Sequence, residues 1–77
     1  MNAAQCRMAR AALQLGVREV AEAARVSPTT VSKLERGEIL YTRTIDAIRE
    51  ALEAAGVEFI EQNGGGPGVR LRNTPKN

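Results

Sequence analysis

The chain has 77 residues, a formal net charge of +2, one cysteine, no histidine and only 3% aromatic residues. A chain this short holds one small core; the inventory excludes a disulfide framework and a Cys/His metal site, which leaves a partner subunit as the expected source of extra stability. No apolar run reaches the length that crosses a bilayer and no signal-like leader opens the chain, so a reducing cytoplasm is expected and a membrane is not.

The first helix is expected from Asn2 to about Leu15, with Asn2 able to cap it and Cys6, Ala9 and Leu13 forming one apolar stripe. Gly16 separates it from a short second helix with Val17, Val20, Ala21 and Ala24 on one face, interrupted by Arg25-Val26-Ser27. The third helix has the clearest start signal: Ser27 suits the N-cap, and Pro28 takes the first helical position, where its missing N–H costs nothing. Thr30 stands where a capping box would need Glu or Gln, so no box is expected. Val31 and Leu34 face inward, and Gly37 stops the helix as a left-handed residue. A loop over 38–42 leads to a fourth helix, with Thr42 as its expected cap, Ile45, Ile48, Ala51 and Leu52 inside, and Gly56 at its end.

The period then changes from helical to alternating. Val57 and Phe59 flank Glu58, Val69 and Leu71 flank Arg70, and the Gly-rich run 63–68 lies between them, which reads as a β-hairpin. The fold class is therefore mainly α: four helices followed by a C-terminal β-hairpin. The expected organisation is a helical unit over 1–56, a hairpin over 57–72 and a frayed tail over 73–77.

Residues 17–37 carry the functional signal. Two helices too short to stand alone must pack on each other, and Ala21 lets them cross closely while Val31 and Leu34 fill the crossing. The outer surface of the third helix is then Thr29, Thr30, Ser32, Lys33 and Arg36, polar and cationic, on a cylinder that fits the major groove of B-DNA. Enzymatic readings find no support: eight of the nine acids are Glu dispersed along the chain, no nucleophile–base pair is evident, and the Gly-rich run lacks the Lys-Ser/Thr and helix of a phosphate-binding loop. No cofactor or metal is expected.

The stretch Val17–Glu38, with Val26-Ser27, Val31 and Leu34-Glu35-Arg36-Gly37 at their spacing behind Ala21-Glu22-Ala23-Ala24, resembles the helix-turn-helix of the XRE family, which includes lambda-type Cro and repressor domains. The likeness extends from about Arg7 to Gly56 and implies a lambda-repressor-like domain whose third helix enters the major groove. Carried over by position, it implies base reading by Thr29 and Lys33, with Thr30 and Ser32 beside them, Lys33 donating to guanine and Thr29 or Thr30 meeting thymine. It implies DNA-backbone contacts by Arg18, Ser27, Arg36, Tyr41, Thr42 and Arg43, with Arg43 near the minor groove. The chain departs from the family where Val17 and Pro28 replace frequent glutamines: Val17 cannot donate to a phosphate, which shifts that contact to Arg18, and Pro28 cannot hydrogen-bond a base, which narrows direct readout. It departs again at Arg25, where a turn glycine is usual: either Arg25 takes a strained left-handed conformation or the turn itself differs slightly. Arg10 and Glu35 stand where the family often has a structural ion pair.

One recognition helix buries too little for selective binding, so a homodimer on a two-fold symmetric site is expected, with half-sites roughly 34 Å apart. The hairpin is the expected interface, covering Val57, Phe59, Ile60, Val69 and Leu71, because a lone two-stranded hairpin is marginal in water and its edge can pair with its twin. On this reading, truncation after Gly56 yields a monomer. Arg70 and Arg72 read as solvated strand positions, and Cys6 as a small buried residue. The expected function is an autonomous, nucleoid-associated regulator of transcription, a repressor in the sense of occluding a promoter, with no second domain expected for sensing a ligand. Its alternatives are an antitoxin-like DNA binder that also holds a partner protein through its C-terminal segment, and a purely structural helical interaction module.

Overall fold

The computed structural model describes residues 1–61 and 64–72; the expected tail over 73–77 and the start of the Gly-rich turn at Asn63 lie outside the described residues. Four helices, α1 (Ala3–Leu13), α2 (Val17–Ala24), α3 (Pro28–Glu35) and α4 (Thr42–Ala55), precede strands β1 (Val57–Ile60) and β2 (Gly68–Leu71). The strands pair antiparallel, Val57 opposite Leu71 and Phe59 opposite Val69. One core joins all of them: Cys6 and Ala9 from α1, Val20 and Ala21 from α2, Val31 and Leu34 from α3, Ile48 and Leu52 from α4, and Val57 from β1.

Three helices end the same way. The chain turns left-handed at Gln14, Arg25 and Gly37. The following amide then reaches back five residues, Leu15 N to Arg10 O, Val26 N to Ala21 O and Glu38 N to Lys33 O, each at 3.0 Å. These closures satisfy carbonyls that a helix end leaves without partners. Of the two alternatives at Arg25, the left-handed conformation is the one adopted, at φ 61°. α1 stops at Leu13, two residues short of expectation, because Gln14 adopts that conformation without glycine's freedom.

The helix starts follow their residues more closely. Asn2 and Gln5 form a reciprocal capping box on α1, the Gln5 amide donating to Asn2 Oδ1 at 2.8 Å and the Asn2 amide to Gln5 Oε1 at 3.0 Å. At α2 only half of such a box exists, since Gly16 offers no side chain; its amide donates to Glu19 Oε1 at 2.7 Å. Ser27 Oγ accepts from the Thr30 amide at 3.1 Å. Thr42 proves to be the first residue of α4 rather than its cap, because the first helical bonds run from Thr44 N and Ile45 N to Tyr41 O. Tyr41 has no side chain able to cap, and the α4 N-terminus carries no side-chain hydrogen bond.

The hairpin does not stand apart from the helices. β2 and β1 pack on α1, and β1 also packs on α4. Val57 is 1% exposed, and Phe59 and Val69 pack against the core. Gln5, itself buried, donates from Nε2 to both Ile60 O and Gly68 O at 3.1 Å, so one amide ties the start of α1 to both strands.

Candidate nucleic-acid interface

The α2–α3 pair is held from inside by Ala21, 1% exposed, facing Val31 and Leu34, 0% and 4% exposed. Fixing those two residues inward fixes what the opposite face presents. Thr29, Lys33 and Arg36 are exposed at helical spacing, with half-buried Thr30 and Ser32 alongside. Ser27 and Pro28 are exposed at the helix start. The residues that sequence reasoning placed on one surface are brought onto one surface.

Their side chains are not equally free. Ser27 Oγ and Thr30 Oγ1 lie 2.8 Å apart, so the two hydroxyls share a proton donor within the cap. Thr30 is thereby less available for a base than Thr29. Arg36 Nη2 lies 2.9 Å from Glu38 Oε2. Both partners are about half exposed, and such a pair is weak enough to exchange for a phosphate. Beyond the helix, Tyr41, Thr42 and Arg43 are exposed, and the Arg43 guanidinium lies 5.3 Å from the centroid of the Tyr41 ring. Arg18 is exposed in the first turn of α2.

The far end of α3 is anchored by a cluster from α1. Arg10 donates to Glu35 from Nε at 2.8 Å and from Nη2 at 3.0 Å, a two-pronged pair with a carboxylate only 10% exposed. Arg7 Nη1 donates to the Glu35 carbonyl and Cys6 Sγ to Glu35 Oε2, the latter at 3.5 Å. Burial would raise the Glu35 carboxyl, but the hydrogen bond and charge of Arg10, with help from Cys6 and Arg7, hold it below its ordinary value. Burial first, and then the Glu35 charge and hydrogen bond, push the Cys6 thiol up to about 12. The Arg10–Glu35 pair was expected. The parts played by Arg7 and Cys6 were not, since a cationic and a small apolar residue at those positions carry no signal of a partner 28 or 29 residues away.

The hairpin residues divide. Val57 is committed to the chain's own core and is not available as the interface residue expected of it; Phe59 and Val69 are largely committed as well. Ile60 is half-buried and Leu71 is 54% exposed. Arg70 pairs with Glu58 across the strands, and Arg72 Nη2 donates to Glu53 O at 2.8 Å. Among the described residues no group of three or more His, Cys, Asp or Glu is placed to hold a metal ion, and no helix is long and apolar enough to cross a membrane.

The chain matches the family model described as a helix-turn-helix domain over residues 3–60. It belongs to that family of XRE-like helix-turn-helix domains. The matched span takes in all four helices and β1 of the hairpin. Helix-turn-helix domains bind DNA and typically carry no enzymatic activity. No curated protein matches the chain.

Proposed function

We propose that this helix-turn-helix protein is a sequence-specific, double-stranded-DNA-binding regulator of transcription, a repressor that occupies a two-fold symmetric operator as a homodimer. The observation that carries the reading is the outward row Thr29, Lys33 and Arg36 on a helix whose inner side is locked by Val31 and Leu34. A helix can put such a row into the major groove, where a lysine donates to guanine O6 and N7 and a threonine offers its hydroxyl or its methyl.

The division of labour follows from side-chain freedom. Thr29 and Lys33 read bases, and Ser32 sits at the margin. Thr30 steadies the helix start through Ser27 and contributes its methyl. Arg18, Ser27, Arg36, Tyr41, Thr42 and Arg43 meet the phosphate backbone, which supplies most of the affinity and little of the selectivity. Dimerisation doubles the contacts and sets the half-site spacing.

Selection of bound sites from random duplex DNA tests this directly. The expected result is a palindromic consensus with half-sites about one helical turn apart. Lys33→Ala then relaxes the preference at one base pair, at a cost of roughly 1–3 kcal/mol, whereas Arg36→Ala weakens every sequence alike. Equal losses on all sequences for Lys33→Ala would remove the base-reading role. Failure to retard any duplex at low salt would remove the function.

A further inference from the structure

Beside α3 the surface dips into a concavity of about 480 Å³, lined by Thr30, Lys33, Ile39, Leu40, Tyr41 and Thr44. That volume suits a small molecule. Half of the lining is the run Ile39-Leu40-Tyr41. Leu40 packs on the core, whereas Ile39 is 98% exposed and Tyr41 75%, so the chain leaves most of this wall uncovered. A single exposed apolar side chain needs no explanation. Two of them bordering a concavity mark a place where an apolar group gains by being covered.

The rest of the lining is polar and carries one charge. Lys33 supplies an ammonium group that has no ion-pair partner among the described residues. Thr44 supplies a hydroxyl from the first turn of α4, and Thr30 a hydroxyl already shared with Ser27 Oγ at 2.8 Å. The neighbouring Arg43 guanidinium is held over the Tyr41 ring and is not part of the lining. A doubly charged group would call for more than one cation, and a neutral hydrocarbon would desolvate the ammonium without pairing it. One cation, hydroxyl donors and an aliphatic and aromatic wall fit a single negative charge on a hydrocarbon body, which is the chemistry of a monocarboxylic acid.

We infer that this concavity is an effector site for a small aliphatic or aromatic monocarboxylate, with its carboxylate on Lys33 and Thr44 and its body against Ile39 and Tyr41. Thr30, Lys33 and Tyr41 belong both to this lining and to the surface read above as facing DNA. Acid and operator therefore exclude one another, and each weakens the other's binding by the same factor. That consequence rests on the DNA-binding reading; the site itself does not. It lets the reading helix sense a ligand without a separate domain: accumulation of the acid releases the operator.

The test titrates the full chain, without DNA, with sodium hexanoate as the probe, and follows backbone amide shifts by NMR. Acetate, which has the charge without the body, and hexylammonium, which has the body with the opposite charge, are the comparisons. Hexanoate is expected to shift the amides of Lys33, Ile39, Tyr41 and Thr44 with a dissociation constant on the order of a millimolar, and acetate and hexylammonium to bind far more weakly. Lys33→Gln is expected to weaken hexanoate about three- to tenfold, and Ile39→Ser to bring it down towards acetate. Both side chains are exposed, so both variants are expected to melt with the wild type. On a selected operator, hexanoate at ten times its dissociation constant is expected to lower wild-type affinity about tenfold relative to acetate at equal ionic strength. The inference is overturned if acetate or hexylammonium matches hexanoate, if the shifts fall elsewhere, or if Lys33→Gln and Ile39→Ser bind hexanoate as wild type does. It is overturned equally if bound hexanoate leaves the operator in place. A wild type that takes hexanoate at these residues yet binds no duplex fails the DNA-binding reading and keeps the site.

Discussion

Glu35 closes α3 and answers to three residues of α1, so its charge state couples α3 to the rest of the core. Its carboxyl lies below its ordinary value when folded. A depressed acid contributes stability that is complete above the unfolded value, near 4.3, and is lost as pH falls through the lower folded value. Stability measured by denaturant at successive pH values is therefore expected to decline across that acid window. Glu35→Gln is expected to flatten this part of the profile and to cost about 1–3 kcal/mol at neutral pH, because Arg10 keeps a neutral partner in place of a charged one. A profile that keeps its acid slope in Glu35→Gln would assign the loss to other carboxylates. The same cluster holds Cys6 protonated, with its thiol up at about 12. Since the thiolate is the nucleophile, labelling by a thiol reagent at pH 8 is expected only as fast as the protein opens. Arg25 and Gly37 give a matched pair for backbone strain: both are left-handed, at φ 61° and 85°, and only one is a glycine. Arg25→Gly is expected to stabilise by about 1 kcal/mol, read as a rise of roughly 4–8 °C in melting temperature. Gly37→Ala is expected to do the reverse by strain alone, since a Cβ there meets nothing within 4 Å.

The elements themselves were legible where the chain spells out a period or a stop. Ser27-Pro28, the Val31–Leu34 spacing and Gly37 define α3 without help from the rest of the protein, and the alternation at Val57–Phe59 and Val69–Leu71 defines the strands. What the sequence withheld were features made by distant partners. Gln14 ends α1 in a conformation that its residue type does not advertise, and Ile39 faces water against its hydropathy. The clearest case is Gln5, whose Nε2 reaches carbonyls 55 and 63 residues along the chain and turns an apparently independent hairpin into part of the core. Removing that amide leaves two strand carbonyls without their donor and also dissolves the α1 capping box. Gln5→Ala is expected to cost roughly 1–3 kcal/mol. In Gln5→Ala, amide exchange is expected to show β1 and β2 opening before the helices do, as a separate low-energy unit. Uniform loss of protection across strands and helices would mean that the hairpin and helices open only together.

At the scale of the molecule, the question is which surface remains for a second copy once the hairpin has served the first. The chain measures 34 × 33 × 19 Å, a width that would let the two copies of the proposed dimer lie side by side on half-sites one helical turn apart. With Val57 inside the core, truncation after Gly56 would remove a core side chain along with any interface, so a monomeric truncated chain would report on folding as much as on association. A surface substitution separates the two. Leu71, at 54% exposed, is the large apolar residue of the hairpin still turned outward, and half-buried Ile60 is on the opposite strand. If the strand edges pair across a two-fold axis, an arginine at position 71 meets its own copy there, and two like charges are forced together in a shrinking solvent layer. Leu71→Arg is then expected to sediment as a monomer, to lose the concentration dependence of melting that a dimer imposes, and to bind a half-site and a full palindrome with nearly the same affinity. Wild type is expected to prefer the palindrome strongly. A Leu71→Arg protein that remains dimeric and keeps that preference would move the interface away from the hairpin edge, to another exposed apolar position such as Met8 on α1, 38% exposed.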